Sequence, residues 1–170
     1  MRMSEAVEWG VHCCSLLSYL SEDETLSGAE LAAFFDLPPA YLSKHLRSLA
    51  RAGVVIPTSG PRGGYRLAQG PEGITLLDVV RAIEGGEPAF RCTEIRQRGP
   101  TGVAATAYGR PCGIASAMWR AEAAWEAELA GTSIADVSQM GDREVPAEQR
   151  RMAARWIRAT ARRRMQTGRP

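Results

Sequence analysis

Apolar residues recur at helical spacing in several stretches of this chain, separated by short runs of a different pattern. Over 4–20, Val7, Val11, Cys14, Leu17 and Leu20 fall near a period of 3.6, which predicts a first helix. Ser27-x-x-Glu30 has the form of a capping box and predicts a second helix over 28–35, broken by Asp36-Leu37-Pro38. A third is predicted over 39–52, since proline is tolerated in a first turn. It would bury Leu42, Leu46 and Leu49 and turn Ser43, Lys44, Arg47 and Arg51 outward, with Gly53 as a C′ residue. Two β-type runs, 54–58 and 65–68, flank Gly60-Pro61-Arg62-Gly63-Gly64, a turn. Thr75-x-x-Asp78 then starts a helix over 76–83. Three helices followed by a two-stranded wing are the order of a winged helix-turn-helix.

The second half reads less regularly. Residues 85–111 form a long irregular segment, and loops of this length in compact chains are commonly functional. A helix over 114–129 carries Ile114, Met118, Ala121, Trp125 and Leu129 along one stripe, with nothing nearby in sequence to cover it; a partner subunit is the simplest cover. A short helical turn is expected over 134–137, and a basic helix over 146–165 anchored by Met152 and Trp156. The expected fold is mainly α with a small β wing. Its expected organisation is a DNA-binding unit over 1–84, a loop over 85–112, a dimerisation helix and turn over 113–138, and a basic helical extension over 139–170.

Charge adds the partner. The stretch 37–71 holds Lys44, Arg47, Arg51, Arg62 and Arg66, with His45 and no acid. A one-signed helix beside a one-signed hairpin is the footprint of a surface that meets phosphate. The third helix would enter the major groove of a double-stranded operator, with Ser43, Lys44 and Arg47 reading base edges or flanking phosphates and Tyr41 touching backbone. Arg51 and Arg66 add charge, and Arg62 at the wing tip would reach the minor groove. His45 is expected to face DNA or solvent. The tail has its own excess: from residue 147 onward eight arginines meet one acid, Glu148, a balance of +7, while the other 146 residues sum to −5. Those arginines either add phosphate contacts or pack on the acidic body. No apolar run reaches membrane-spanning length, no signal-type apolar region opens the chain, and no Ser/His/Asp set or phosphate-cradling loop suggests an enzyme, so a cytoplasmic, non-catalytic protein is expected. The four cysteines, Cys13, Cys14, Cys92 and Cys112, are then candidates for metal binding, redox sensing or burial rather than disulfides.

Three motifs carry a resemblance: Tyr41-Leu42-Ser43-Lys44, Leu49-Ala50-Arg51-Ala52-Gly53-Val54-Val55, and Gly60-Pro61-Arg62-Gly63-Gly64-Tyr65-Arg66-Leu67-Ala68. From residue 1 to about 129 the chain resembles a family of bacterial winged-helix regulators that includes the iron–sulfur regulator IscR and the nitric-oxide sensor NsrR. The resemblance implies a homodimer built on the helix at 114–129, and an iron–sulfur cluster that controls operator binding.

The family's loop usually carries three closely spaced cysteines; here only Cys92 and Cys112 are present, twenty positions apart. Two thiolates leave a cluster that takes four protein ligands two short. Glu8 and His12, four apart on one face of the first helix, can each bind iron. The pattern is similar to a redox-sensing branch of the family whose 2Fe–2S cluster is held by two cysteines, a glutamate and a histidine. The resemblance therefore implies Glu8 and His12 from one subunit and Cys92 and Cys112 from the other. The competing set is all four cysteines, although Cys13 and Cys14 diverge by about 100° on a helix and Cys14 sits on the apolar stripe. Mixed ligation should raise the potential above that of an all-thiolate centre. Trp9 is a candidate switch, since it sits between Glu8 and His12 in sequence on the helix packed against the reading unit. The expected function is a redox-controlled repressor; a cluster-free repressor answering to a metabolite, partner protein or thiol oxidation, and a nitric-oxide-responsive cluster regulator, are the alternatives.

Overall fold

The computed structural model describes residues 3–60 and 63–163. Helix α1 (Glu5–Leu17) buries Ala6, Val7, Gly10, Cys13, Cys14, Leu16 and Leu17. A two-residue strand β1 (Glu24–Thr25) leads into α2 (Gly28–Phe34), which opens on the expected capping box: the Glu30 N–H donates to Ser27 Oγ at 3.2 Å and the Ser27 N–H to Glu30 Oε2 at 2.6 Å. Helix α3 (Pro39–Arg51) starts on its proline and buries Leu42, Leu46 and Leu49, none more than 1% exposed. Each such leucine contributes about 1.5–3 kcal/mol by leaving water. The helix ends as a Schellman motif, because Gly53 accepts φ +75° at little cost. Its N–H donates to the Ala50 carbonyl at 3.1 Å and the Val54 N–H to the Leu49 carbonyl at 2.9 Å.

The wing follows as β2 (Val55–Thr58) and β3 (Gly64–Leu67), antiparallel, with Val55 opposite Leu67 and Thr58 opposite Gly64. Pro57 is tolerated because β2 is an edge. On the other side of β3, Leu26 pairs with Tyr65 through two backbone hydrogen bonds of 3.2 and 2.7 Å, tying the wing to the start of α2. Gly64 makes that approach possible: a Cβ there would lie 2.5 Å from the Leu26 carbonyl oxygen.

Helix α4 (Leu76–Glu84) packs across α1. The crossing is close because Gly10 has no side chain; a Cβ on it would sit 2.5 Å from Ile83 Cδ1 and 3.1 Å from Val79 Cγ1. Residues 85–112 are irregular apart from two short 3-10 turns, Ile95–Gln97 and Ala105–Ala107. Helix α5 (Gly113–Ala130) buries only Ala115 and leaves Ile114, Met118 and Trp119 71, 45 and 43% exposed, so the N-terminal half of its apolar stripe lies open.

The C-terminal part departs from expectation. The turn at 134–137 is a full helix, α6 (Ile134–Glu144), opened by a Ser133/Asp136 capping box. Ser138 on it meets the Ser15 and Ser18 hydroxyls of α1 at 3.0 Å each. Helix α7 (Ala147–Thr160) stops well short of residue 165, which lies outside the described residues. The chain then turns extended, and β4 (Arg162–Arg163) pairs antiparallel with β1. Met152 is 51% exposed and is no anchor; Ile157 is buried and Trp156 packs against Phe34 with ring centroids 4.8 Å apart.

Candidate functional site

Helix α3 presents its polar face as the sequence predicts. Tyr41 is 65% exposed, and Lys44, Arg47 and Arg51 are exposed while Ser43 is half-buried. Arg47 and Arg51 are steadied along the helix: Arg47 Nε donates to the Ser43 carbonyl at 3.2 Å and Arg51 Nη2 to Ser48 Oγ at 3.1 Å. On the wing, Thr58 Oγ1 donates to the Gly64 carbonyl at 3.0 Å and accepts the Gly64 N–H at 3.2 Å, closing the hairpin. Arg66 is half-buried, with Nη1 donating to the Leu67 carbonyl and Nε buried without a partner, so it is held against the wing more than offered from it. Arg62, at the wing tip, lies outside the described residues.

His45 does not face outward. It is half-buried, and its ring meets Trp9 of α1 edge-on, with centroids 6.2 Å apart and planes at 81°. Burial and the neighbouring Lys44 charge lower its pKa, opposed by Glu84 of α4. Glu84 in turn accepts the Ser4 hydroxyl at 2.6 Å and the Ser4 N–H at 2.9 Å, and those bonds lower its own pKa. Trp9, His45, Glu84 and Ser4 thus form a junction of α1, α3 and α4. Sequence reading missed the His45 contact, since it joins residues 36 apart that share no local pattern.

The four cysteines divide into two kinds. Cys13 and Cys14 are fully buried in the core; burial pushes the Cys13 thiol up to about 12, and burial with the adjacent Cys13 raises Cys14 further. Metal ligation needs thiolate, so these two side chains are poor donors where they sit. Cys92 and Cys112 are half-buried in the loop and at the N-cap of α5. The backbone N–H groups of Ala115 and Ile114, with the Arg96 charge nearby, hold the Cys112 thiol below its ordinary range against a smaller opposing effect of burial.

Arg96 organises the loop around Cys112. Its Nε donates to Glu94 Oε2 at 2.6 Å, its Nη2 to the Arg110 carbonyl at 2.9 Å, and its guanidinium lies 4.2 Å from the Tyr108 ring centroid. Tyr108 closes the circuit by donating its hydroxyl to the Arg96 carbonyl at 2.7 Å. None of Glu94, Arg96 and Tyr108 stood out in the sequence, because no regular spacing joins them. The loop is also tied to α5, where Glu122 accepts the Ala89 N–H at 2.5 Å.

Glu8 and His12 are both exposed on α1, and the His12 ring lies against Phe35 at 5.5 Å between centroids. Among the described residues of one chain, no group of three or more His, Cys, Asp or Glu side chains is gathered as a metal site. Glu8 and His12 are therefore not united with Cys92 and Cys112 within a protomer. Among the described residues no helix is long and apolar enough to cross a membrane.

Residues 3–140 match the family model for Rrf2, described as an iron-dependent transcriptional regulator. Over 138 residues the chain is 30% identical to YffB of Lactococcus lactis, named as an HTH-type transcriptional regulator, covering 81% of this chain and 87% of that one. The fold is similar to CymR (YrzC), the global cysteine regulator of B. subtilis, with TM-score 0.63, 23% identity, and 82% of this chain and 98% of that chain covered. It is also similar to T. potens IscR, with TM-score 0.62, 20% identity and 86 and 93% covered. These two likenesses concern the fold.

Proposed function

The chain belongs to the Rrf2 family of DNA-binding transcriptional regulators, which are not enzymes, and from that premise we propose a homodimeric repressor whose operator binding is set by a 2Fe–2S cluster. Its ligands are Glu8 and His12 of one subunit and Cys92 and Cys112 of the other.

The observation that carries this reading is the division of the thiols. Two are sealed in the core with raised pKa, and two are only half-buried, one of them, Cys112, held below the ordinary thiol range by backbone N–H groups at the start of α5. The donor set of one carboxylate, one imidazole and two thiolates fits an iron–sulfur centre, and among the described residues its two halves are not gathered within one chain, which supports ligands shared with a second copy. The open Ile114 and Met118 of the α5 stripe, with exposed Trp119 flanking them, form an apolar surface suited to that second copy. When bound, the cluster supplies a centre that accepts one electron.

The chain's own residues do the rest. Arg96, Glu94 and Tyr108 hold the loop that presents Cys112. Tyr41, Ser43, Lys44, Arg47 and Arg51 contact the operator from α3, with Arg62 reaching it from the wing, while Arg66 is held against the wing and braces that strand. Trp9 lies one residue from Glu8 and its ring abuts His45 of α3, so a displacement of α1 at its ligand face reaches the reading helix through that contact.

Protein purified without oxygen should be coloured and contain iron and sulfide. Its affinity for a duplex selected by the protein itself should change on dithionite reduction, and Glu8→Ala or His12→Ala should remove the cluster. A colourless preparation without iron or sulfide overturns the cluster. The lowered Cys112 thiol favours a second reading, a cluster-free repressor answering to thiol oxidation. Colourless protein whose DNA binding changes with peroxide and is restored by thiol would select it.

A further inference from the structure

Helix α7 lies beyond the part of the chain that matches the family, and it is built as a second basic surface. Arg151, Arg155 and Arg158 stand at i, i+4 and i+7, on one face of the helix, and all three are exposed. The opposite side is the one that docks: Ile157 is buried and Trp156 packs on Phe34.

Two explanations compete for arginines in an otherwise acidic chain, neutralising the body or meeting an outside anion. The residues that follow the helix serve the first. Arg162 donates to Glu30 Oε1 through Nε at 3.1 Å and Nη2 at 2.7 Å, and Arg163 reaches Glu24 Oε1 at 3.4 Å. Arg151, Arg155 and Arg158 do not: among the described residues none of them takes part in an ion pair or a side-chain hydrogen bond. Glu148, the single acid of α7, makes no ion pair with them either. The body has thus used the arginines it needs and left a stripe unneutralised.

Placement selects the anion. The edge-on Trp156–Phe34 contact and the Arg162–Glu30 pair fix α7 and β4 to α2, the first helix of the helix-turn-helix pair. In that motif the first helix crosses the nucleic-acid backbone. The stripe therefore travels with the reading unit rather than on a loose tail. From Arg151 to Arg158 it runs about 10 Å along the helix axis, which matches about three phosphates of one strand at about 3.4 Å of axial rise each.

We propose that Arg151, Arg155 and Arg158 form a second DNA contact, gripping the phosphate backbone of double-stranded DNA beside the segment read by α3. The proposal rests on the DNA-binding function and adds a sequence-independent grip to it.

The test uses full-length protein, a random-sequence 40-base-pair duplex as probe, and fluorescence anisotropy between 50 and 300 mM KCl. Three lost contacts per protomer, at about 0.9 each, should reduce the slope of log K against log salt by about 5 per dimer in R151Q/R155Q/R158Q. Affinity at 100 mM salt should fall at least tenfold, with an unchanged melting temperature because the residues are exposed. R151K/R155K/R158K should keep the slope. An unchanged slope and affinity in the folded glutamine variant, with binding still lost in K44Q/R47Q, overturns the second contact and leaves reading by α3 intact; such a stripe would serve another acidic partner. Wild-type protein that binds neither this duplex nor a selected one overturns the underlying reading as well.

Discussion

Replacing cysteines one at a time should separate packing from ligation. Cys14 is fully buried on α1, and in Cys14→Ser a hydroxyl takes the thiol's place in the core. Burying an unpaired hydroxyl costs about 1–3 kcal/mol. A serine in a helix can donate to the carbonyl four residues back, here Gly10, which trims the loss to about 1–2 kcal/mol. At about 2–4 °C per kcal/mol for a chain of this length, the melting temperature should fall by roughly 2–8 °C. Iron and sulfide content should be retained in protein purified below that temperature. Cys112→Ser acts in the opposite sense. The position is half-buried at a helix start, so the metal-free fold should change by about 0.5 kcal/mol or less, while the cluster is lost. Urea unfolding of metal-free protein and iron and sulfide analysis of anaerobic protein read the two effects independently. Full iron in Cys112→Ser together with loss of iron in a folded Cys14→Ser or Cys13→Ser would refute the assignment of buried thiols to packing.

Further outcomes follow from local geometry. Gly64→Ala puts a Cβ 2.5 Å from the Leu26 carbonyl oxygen; the strand must shift, at a cost of about 1–3 kcal/mol, and DNA affinity measured by gel shift should drop with it. Ser133→Ala removes the hydroxyl that accepts the Asp136 N–H at 3.1 Å and should cost about 1 kcal/mol in urea unfolding. The Glu24 pKa is lowered mainly by the Ser21 N–H, helped by Arg163; that of Glu30 is lowered by Ser27 and Arg162 against the opposing effect of burial. Both carboxyls are depressed on folding, so their stabilisation is complete above the ordinary glutamate value of about 4.3 and is lost as pH falls through the lower folded values. Urea midpoints compared at pH 6 and pH 3.5 should show a larger acid loss in wild type than in Arg162→Gln, and equal losses would contradict the role given to this pair.

Elements defined by local chemistry were legible in the sequence, and those defined by distant partners were not. The capping boxes at Ser27 and Thr75 and the leucine spacing of α3 each use residues three or four apart, and the structure reproduces them. Ser133-x-x-Asp136 carries the same capping signature, but weak apolar periodicity after it hid α6. The C-terminal strand pairs Arg162 with Thr25, 137 positions away, and no local pattern encodes that register. Within the candidate site, exposure of Lys44, Arg47 and Arg51 follows from the amphipathic face of α3. The inward turn of His45 depends on Trp9, which another helix supplies. Glu8 and His12 share a face by spacing alone, whereas Cys92 and Cys112 are positioned by a loop whose Arg96–Tyr108 stack has no sequence signature.

Ligand sharing between subunits is tested most directly by a mixed dimer. Protomers carrying E8A/H12A are co-expressed with differently tagged protomers carrying C92A/C112A, and the heterodimer is isolated without oxygen. Neither homodimer should hold a cluster. If the ligands come from opposite subunits, the heterodimer restores one complete set of the two, and iron, sulfide and visible absorption should return to about half the wild-type level, a one-in-two occupancy expected from its two-fold symmetry. A heterodimer as empty as both parents, beside a cluster-bearing wild type, would contradict a site built from Glu8 and His12 of one chain and Cys92 and Cys112 of the other.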